Sequence, residues 1–142
     1  MGQLTTIGYE GRSFEDFTAT LQANGVERVI DIRERPWSRK PGFSSSQLRT
    51  RLADCGIDYV HLRELGCPKP IRSKLRADSD YPSFFRAYES YLVTQEEALA
   101  KVTAMAQDKV VALLCFERNA CECHRQRVAD RLELEGFDPH HL

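Results

Sequence analysis

The chain has 142 residues, of which 42% are hydrophobic and 29% charged, with a formal net charge of −1. A chain this long buries roughly 70% of its unfolded surface and needs no disulfide or metal staple for a core; its composition excludes a mostly disordered chain and a nucleic-acid-binding polycation. No apolar run approaches the ~20 residues of a membrane helix, and an odd set of five cysteines is expected of reduced thiols in a cytoplasmic protein.

In chain order, strands and helices alternate. Leu4–Tyr9 reads as a first strand. Ser13 caps the helix that follows, with Asp16 at capping-box spacing and Phe14, Phe17 and Leu21 on one face. Asn24-Gly25 closes it. Glu27–Ile32 is a second strand, and Arg33–Phe43 a Pro- and Gly-punctuated loop. Ser44 and Gln47 open a second helix with Leu48, Leu52 and Cys55 inward, and Gly56 stops it. Ile57–Leu62 alternates as a third strand. Residues 63–82 carry Pro68 and Pro70 and a polar run; they are expected to form an irregular loop or lid. A helical pattern runs from Ser83 to about Gln107 with a break near Thr94. Val110–Cys115 is continuously apolar, as a strand buried on both faces must be. A loop leads to a helix from about Cys123 to Glu135, and Phe137–Leu142 reads as a short last strand.

That order predicts a single α/β domain over 1–142, with helices on both faces of a mostly parallel sheet of about five strands. Ligands of such sheets bind beyond the carboxyl ends of the strands. The unusual polar residues fall there: Tyr9 and Glu10 after strand one, Asp31 and Arg33 after strand two, His61 after strand three, and Cys115 to Arg125 after strand four.

The fourth loop, Cys115-Phe-Glu117-Arg118-Asn-Ala-Cys121-Glu-Cys123-His124-Arg125, runs into a helix N-terminus, which attracts anions and lowers a thiol pKa. Cys123 and His124 are therefore candidates for nucleophile or acid/base. Cys115 and Cys123 also fit plain core and cap positions. Structural zinc sites pair ligands as C-x2-C or H-x3-H, and the C-x5-C-x-C-H spacing departs from that, so no metal is expected. In the second loop Arg33, Arg35 and Arg39 offer forks for phosphate or carboxylate, Ser38 a hydroxyl, and Trp37 a stacking surface; the same arginines are equally suited to pair with Glu34, Glu64 or Glu117. Asp31 is placed either to hold an arginine or to act as general base. His61 titrates near neutrality or serves as a hydrogen-bonded wall residue. Lys69, Arg72, Lys74 and Arg76 form a second basic stretch. Core packing is the default for Tyr88 and Tyr91.

Thr6-Ile-Gly-Tyr-Glu-Gly-Arg-Ser13, Asp31-Ile-Arg33 with Pro36 and Ser38-Arg39, Tyr59-Val-His-Leu62 with Leu65-Gly66, Phe85 with Tyr88, and Leu114-Cys-Phe-Glu117 through Cys123-His-Arg125 resemble the domain-of-unknown-function 488 family. The resemblance spans nearly the whole chain in order and departs from the pattern at Tyr9-Glu10 and Cys121. It implies a three-layer Rossmann-like sandwich. It picks out Asp31, Arg33, Ser38, Arg39, His61, Glu117, Cys123, His124 and Arg125, and it implies no reaction and no cofactor. The expected function is an enzyme acting on a phosphate-bearing or other anionic partner, a small molecule or nucleic acid. Arg33, Arg39 and Arg125 would clamp the anion, Cys123 or His124 would react, and Glu117 or Asp31 would orient them. The alternatives are a module that binds a nucleotide or nucleic acid without turnover and a structural or regulatory protein whose charges form a buried ion-pair network.

Overall fold

The computed structural model describes residues 2–142. Its strands are β1 (Gln3–Gly8), β2 (Arg28–Asp31), β3 (Asp58–His61), β4 (Val110–Cys115) and β5 (His140–His141). They form one sheet in the order β3-β2-β4-β1-β5, and every pairing is parallel. β4 is central because its VVALLC run has apolar side chains for both faces. The short β5 is tied to the edge by the Leu142 N–H, which donates to the Thr6 carbonyl at 2.8 Å.

The helices are α1 (Phe14–Ala23), α2 (Ser45–Asp54), α3 (Lys69–Asp78), α4 (Tyr81–Leu92), α5 (Glu96–Met105) and α6 (Arg125–Glu133). α1 and α2 cover one face, where Phe17, Leu21, Leu48 and Leu52 meet Ile7, Val29 and Leu114. On the other face Phe84, Tyr88, Leu99, Val102, Val128 and Leu132 meet Leu4, Ile30 and Leu113. Neighbouring strand residues thus feed opposite layers, as the period of two requires, and the molecule is the expected three-layer α/β sandwich.

Residues 63–82 are not the irregular loop expected of them. They hold a 3-10 turn (Arg63–Leu65), the whole of α3 and the start of α4. Pro68 and Pro70 sit at the entry to α3, where a proline costs no helical hydrogen bond. Ser79, at φ 52°, ends α3 in the left-handed region, and the Asp80 carboxylate accepts the Ser83 N–H at 3.1 Å to open α4. The break expected near Thr94 is a 3-10 turn, Val93–Gln95. α6 begins two residues later than expected, leaving Cys123 in extended backbone.

Candidate active site: a cation-lined cavity at the carboxyl ends of the strands

α1, after β1, and α2, after β2, go to one face, whereas α6, after β4, goes to the other. The chain therefore leaves β4 in the opposite sense from both its neighbours, and a crevice opens at its carboxyl end. A cavity of about 480 Å³ occupies that position. Its floor is Cys115, Glu117 and His124; one wall is Tyr9 with Arg33–Arg35 and Trp37; the other is α3 and the start of α4, through Arg72, Arg76, Tyr81 and Phe84. Four arginines and two glutamates line it, an excess of positive charge in a protein that is nearly neutral overall. Trp37, on the rim, is 64% exposed.

The β2 end is held by a closed network. Asp31, fully buried, accepts from the Arg33 N–H (3.1 Å), Nε (2.9 Å) and Nη2 (2.7 Å), and from the Tyr59 hydroxyl at 2.5 Å. Arg33 Nη1 donates to the Phe43 carbonyl at 2.8 Å and the Tyr9 hydroxyl at 3.3 Å. Burial works against the Arg33 charge, but the hydrogen bonds and charge of Asp31 more than offset it, so its pKa is raised. Burial and the Asp31 charge raise Tyr59, whose hydroxyl stays protonated. Asp31 therefore holds an arginine rather than serving as a free base. Arg33 lends the cavity wall its charge, while most of its donors are already spent.

At the β4 end the Arg125 side chain is 1% exposed. Its Nε donates to Thr6 Oγ1 (3.1 Å), Nη2 to the Arg118 carbonyl (3.0 Å), and Nη1 to the Glu117 carbonyl and to Cys115 Sγ (3.0 Å). Among the described residues it makes no carboxylate ion pair; burial pushes its pKa down to about 10. His124 is anchored through Nε2–H to the Ile32 carbonyl at 2.8 Å, which leaves Nδ1 as a bare acceptor, 3.7 Å from Cys123 Sγ. Burial pushes this histidine down to about 4. Burial also raises the Glu117 carboxyl and pushes the Cys67 thiol, on the cavity wall, up to about 12. The fully buried Cys123 sulfur lies in disulfide contact with that of Cys115, a pairing the expectation of reduced thiols did not include, and takes the Arg125 N–H at 3.4 Å.

The cavity thus gathers Tyr9, Arg33, Glu117 and His124 from three separate loops, with Asp31 and Arg125 directly behind it. Three expected residues stand apart. Arg39 is exposed and does not line the cavity. Ser38 is a loop residue: its N–H donates to Ser44 Oγ (3.0 Å) and its hydroxyl accepts the Lys40 N–H (3.1 Å). His61 Nε2–H donates to the Arg33 carbonyl at 2.7 Å and braces the loop from outside. The arginines that line the cavity beside Arg33 are Arg35, Arg72 and Arg76, not Arg39 or Arg125. Arg72 and Arg76 lie one helical turn apart on α3; reading that stretch as irregular hid their shared face.

A family described as Domain of unknown function DUF488 matches residues 13–132. The chain belongs to the DUF488 family. That match takes in every cavity residue except Tyr9. No match is found for the DUF488 chain among curated proteins or solved structures.

Proposed function

We propose that this DUF488 protein is an enzyme whose substrate carries a phosphate or a comparable anion, a nucleotide or the end of a nucleic acid. The observation that carries the proposal is the concentration of Arg33, Arg35, Arg72 and Arg76 around one cavity at the position where open parallel sheets bind ligands. A planar guanidinium fork matches phosphate oxygens two at a time. Arg35 and Arg76 are exposed, and Arg72, held by Glu34 at 2.6 Å and the Cys67 carbonyl at 2.9 Å, points its remaining donors from a braced position. Trp37 and Phe116 at the rim offer apolar planes on which a base stacks. The reactive centre is the floor, where sulfur, carboxylate and imidazole meet beneath the anion site.

Trp37 is the only tryptophan of the chain, so its fluorescence reports occupancy of the cavity without a label. Titration with nucleoside monophosphates, nucleoside diphosphates and short oligonucleotides is expected to perturb it. Binding should weaken steeply with salt. Arg72→Ala and Arg76→Ala should each lower affinity at least 10-fold, since a charged hydrogen bond contributes about 1.5–3 kcal/mol. A fluorescence signal that stays flat for all of these ligands into the millimolar range overturns the proposal.

A further inference from the structure

Cys115, Glu117 and Cys123 bring two sulfurs and a carboxylate oxygen together, all within 4.8 Å of one another. From these positions we propose that the cavity floor is a binding site for a thiophilic divalent cation of the zinc type, with Cys115, Cys123 and Glu117 as its ligands and its open position facing the anion cavity. The inference deepens the functional reading above and rests on it only for the placement of the reactive centre.

Three independent features support it. First, the Cys115 and Cys123 sulfurs are in disulfide contact, yet their Cα atoms are 7.6 Å apart, whereas disulfide-bonded residues usually keep theirs within about 4.4–6.8 Å. The backbone spacing suits two thiolates gripping a common ion better than two joined to each other. Second, Arg125 is a buried cation whose contacts are a hydroxyl, two carbonyls and Cys115 Sγ, with no carboxylate ion pair among the described residues. A buried charge demands an opposite one. Two thiolates and a carboxylate around a divalent cation leave one negative charge in excess, and Arg125 neutralises it. Third, both sulfurs already receive the N–H donors that orient metal-bound thiolates: Arg125 Nη1 on Cys115 at 3.0 Å and the Arg125 backbone N–H on Cys123 at 3.4 Å. His124, fixed through Nε2–H to a carbonyl, turns its bare Nδ1 toward Cys123 at the edge of the site. Soft sulfur donors select zinc over magnesium or calcium, and three protein ligands with one open position describe a catalytic rather than a structural zinc site. The linear spacing departs from the paired zinc motifs because the ligands are gathered by the end of β4 and the entry to α6, not by two knuckles.

The test uses the full chain and the metal alone. Purified protein dialysed against zinc or cobalt is expected to retain one ion per chain. The cobalt form should show sulfur-to-metal charge-transfer absorption and the intense visible bands of a four-coordinate site. X-ray absorption at the zinc edge of the unmodified protein should find two sulfur neighbours at about 2.3 Å; this reading needs no variant to fold. Cys115→Ser, Cys123→Ser and Glu117→Gln should each weaken retention at least 10-fold, while Cys55→Ser and Cys121→Ser leave it unchanged. Failure to retain zinc or cobalt, or a zinc edge lacking paired sulfur neighbours, overturns the inference, as does mass spectrometry showing Cys115 and Cys123 joined and resistant to alkylation until reduced. Because no nucleotide is present, these outcomes are separate from the Trp37 titration, so either proposal can fail while the other stands.

Discussion

Replacing Asp31 by asparagine keeps the shape of the β2 terminus and removes one charge. In the native protein that carboxylate is fully buried and accepts four hydrogen bonds, three of them from Arg33 and one from Tyr59. The substituted amide can accept on one side only, so the Arg33 guanidinium keeps its bonds to the Phe43 carbonyl and the Tyr9 hydroxyl and loses its counter-charge inside the protein. Leaving a buried partner uncompensated costs about 3–5 kcal/mol. With a urea dependence of about 2 kcal/mol/M for a chain of this size, the unfolding midpoint should fall by roughly 1.5–2.5 M, against a total stability of about 5–15 kcal/mol. The double variant Asp31→Leu with Arg33→Met removes both charges and should recover most of that loss. Urea unfolding followed by far-ultraviolet circular dichroism checks both variants. A loss below about 1 kcal/mol for Asp31→Asn would refute the structural role of the pair; if nucleotide binding then vanished as well, Asp31 would belong to the chemistry instead.

Three further outcomes follow from named contacts. Burial pushes the Cys67 thiol from 9.0 up to about 12, so between those values the unfolded chain releases a proton that the folded chain keeps. Stability from this group is intact below about pH 9 and declines as pH rises toward 12; urea midpoints across that range should fall less steeply for Cys67→Ala, and an identical slope would discount the thiol. The Tyr88 hydroxyl donates to the buried Leu65 carbonyl at 2.6 Å, and Tyr88→Phe should cost about 1–3 kcal/mol by stranding that oxygen; an unmoved midpoint would mean water replaces the donor. Gly8 packs directly on the Glu117 carbonyl, leaving no space for a Cβ. Gly8→Ala should therefore shift the loop after β4 and weaken both nucleotide and zinc retention at least 10-fold, with wild-type affinities counting against the close approach.

Much of the architecture was legible because it depends on periodicity. The VVALLC run could only be an interior strand, and Ser13, Gly25 and Gly56 punctuated the elements around it by local backbone preference. The alternation of strand and helix then placed Tyr9, Arg33, Glu117 and His124 near one edge of the sheet. α3 was missed because its prolines stand where a helix tolerates them and its apolar face is only Ile71 and Leu75; packing against the core, not composition, makes it a helix.

What the sequence determined alone is the set of elements and the rim on which its polar residues gather, since both follow from local conformational preference and burial patterns of two and 3.6 residues. Which arginine is spent in a buried pair and which faces the cavity was decided only by tertiary structure. Arg33 and Arg125 read in the chain as two more basic residues. One is buried against Asp31 and the other against carbonyls and Cys115 Sγ. A side chain's partner in a folded protein is set by the packing of strands far apart in sequence, and that geometry also brings Cys115, Glu117 and Cys123 to one point.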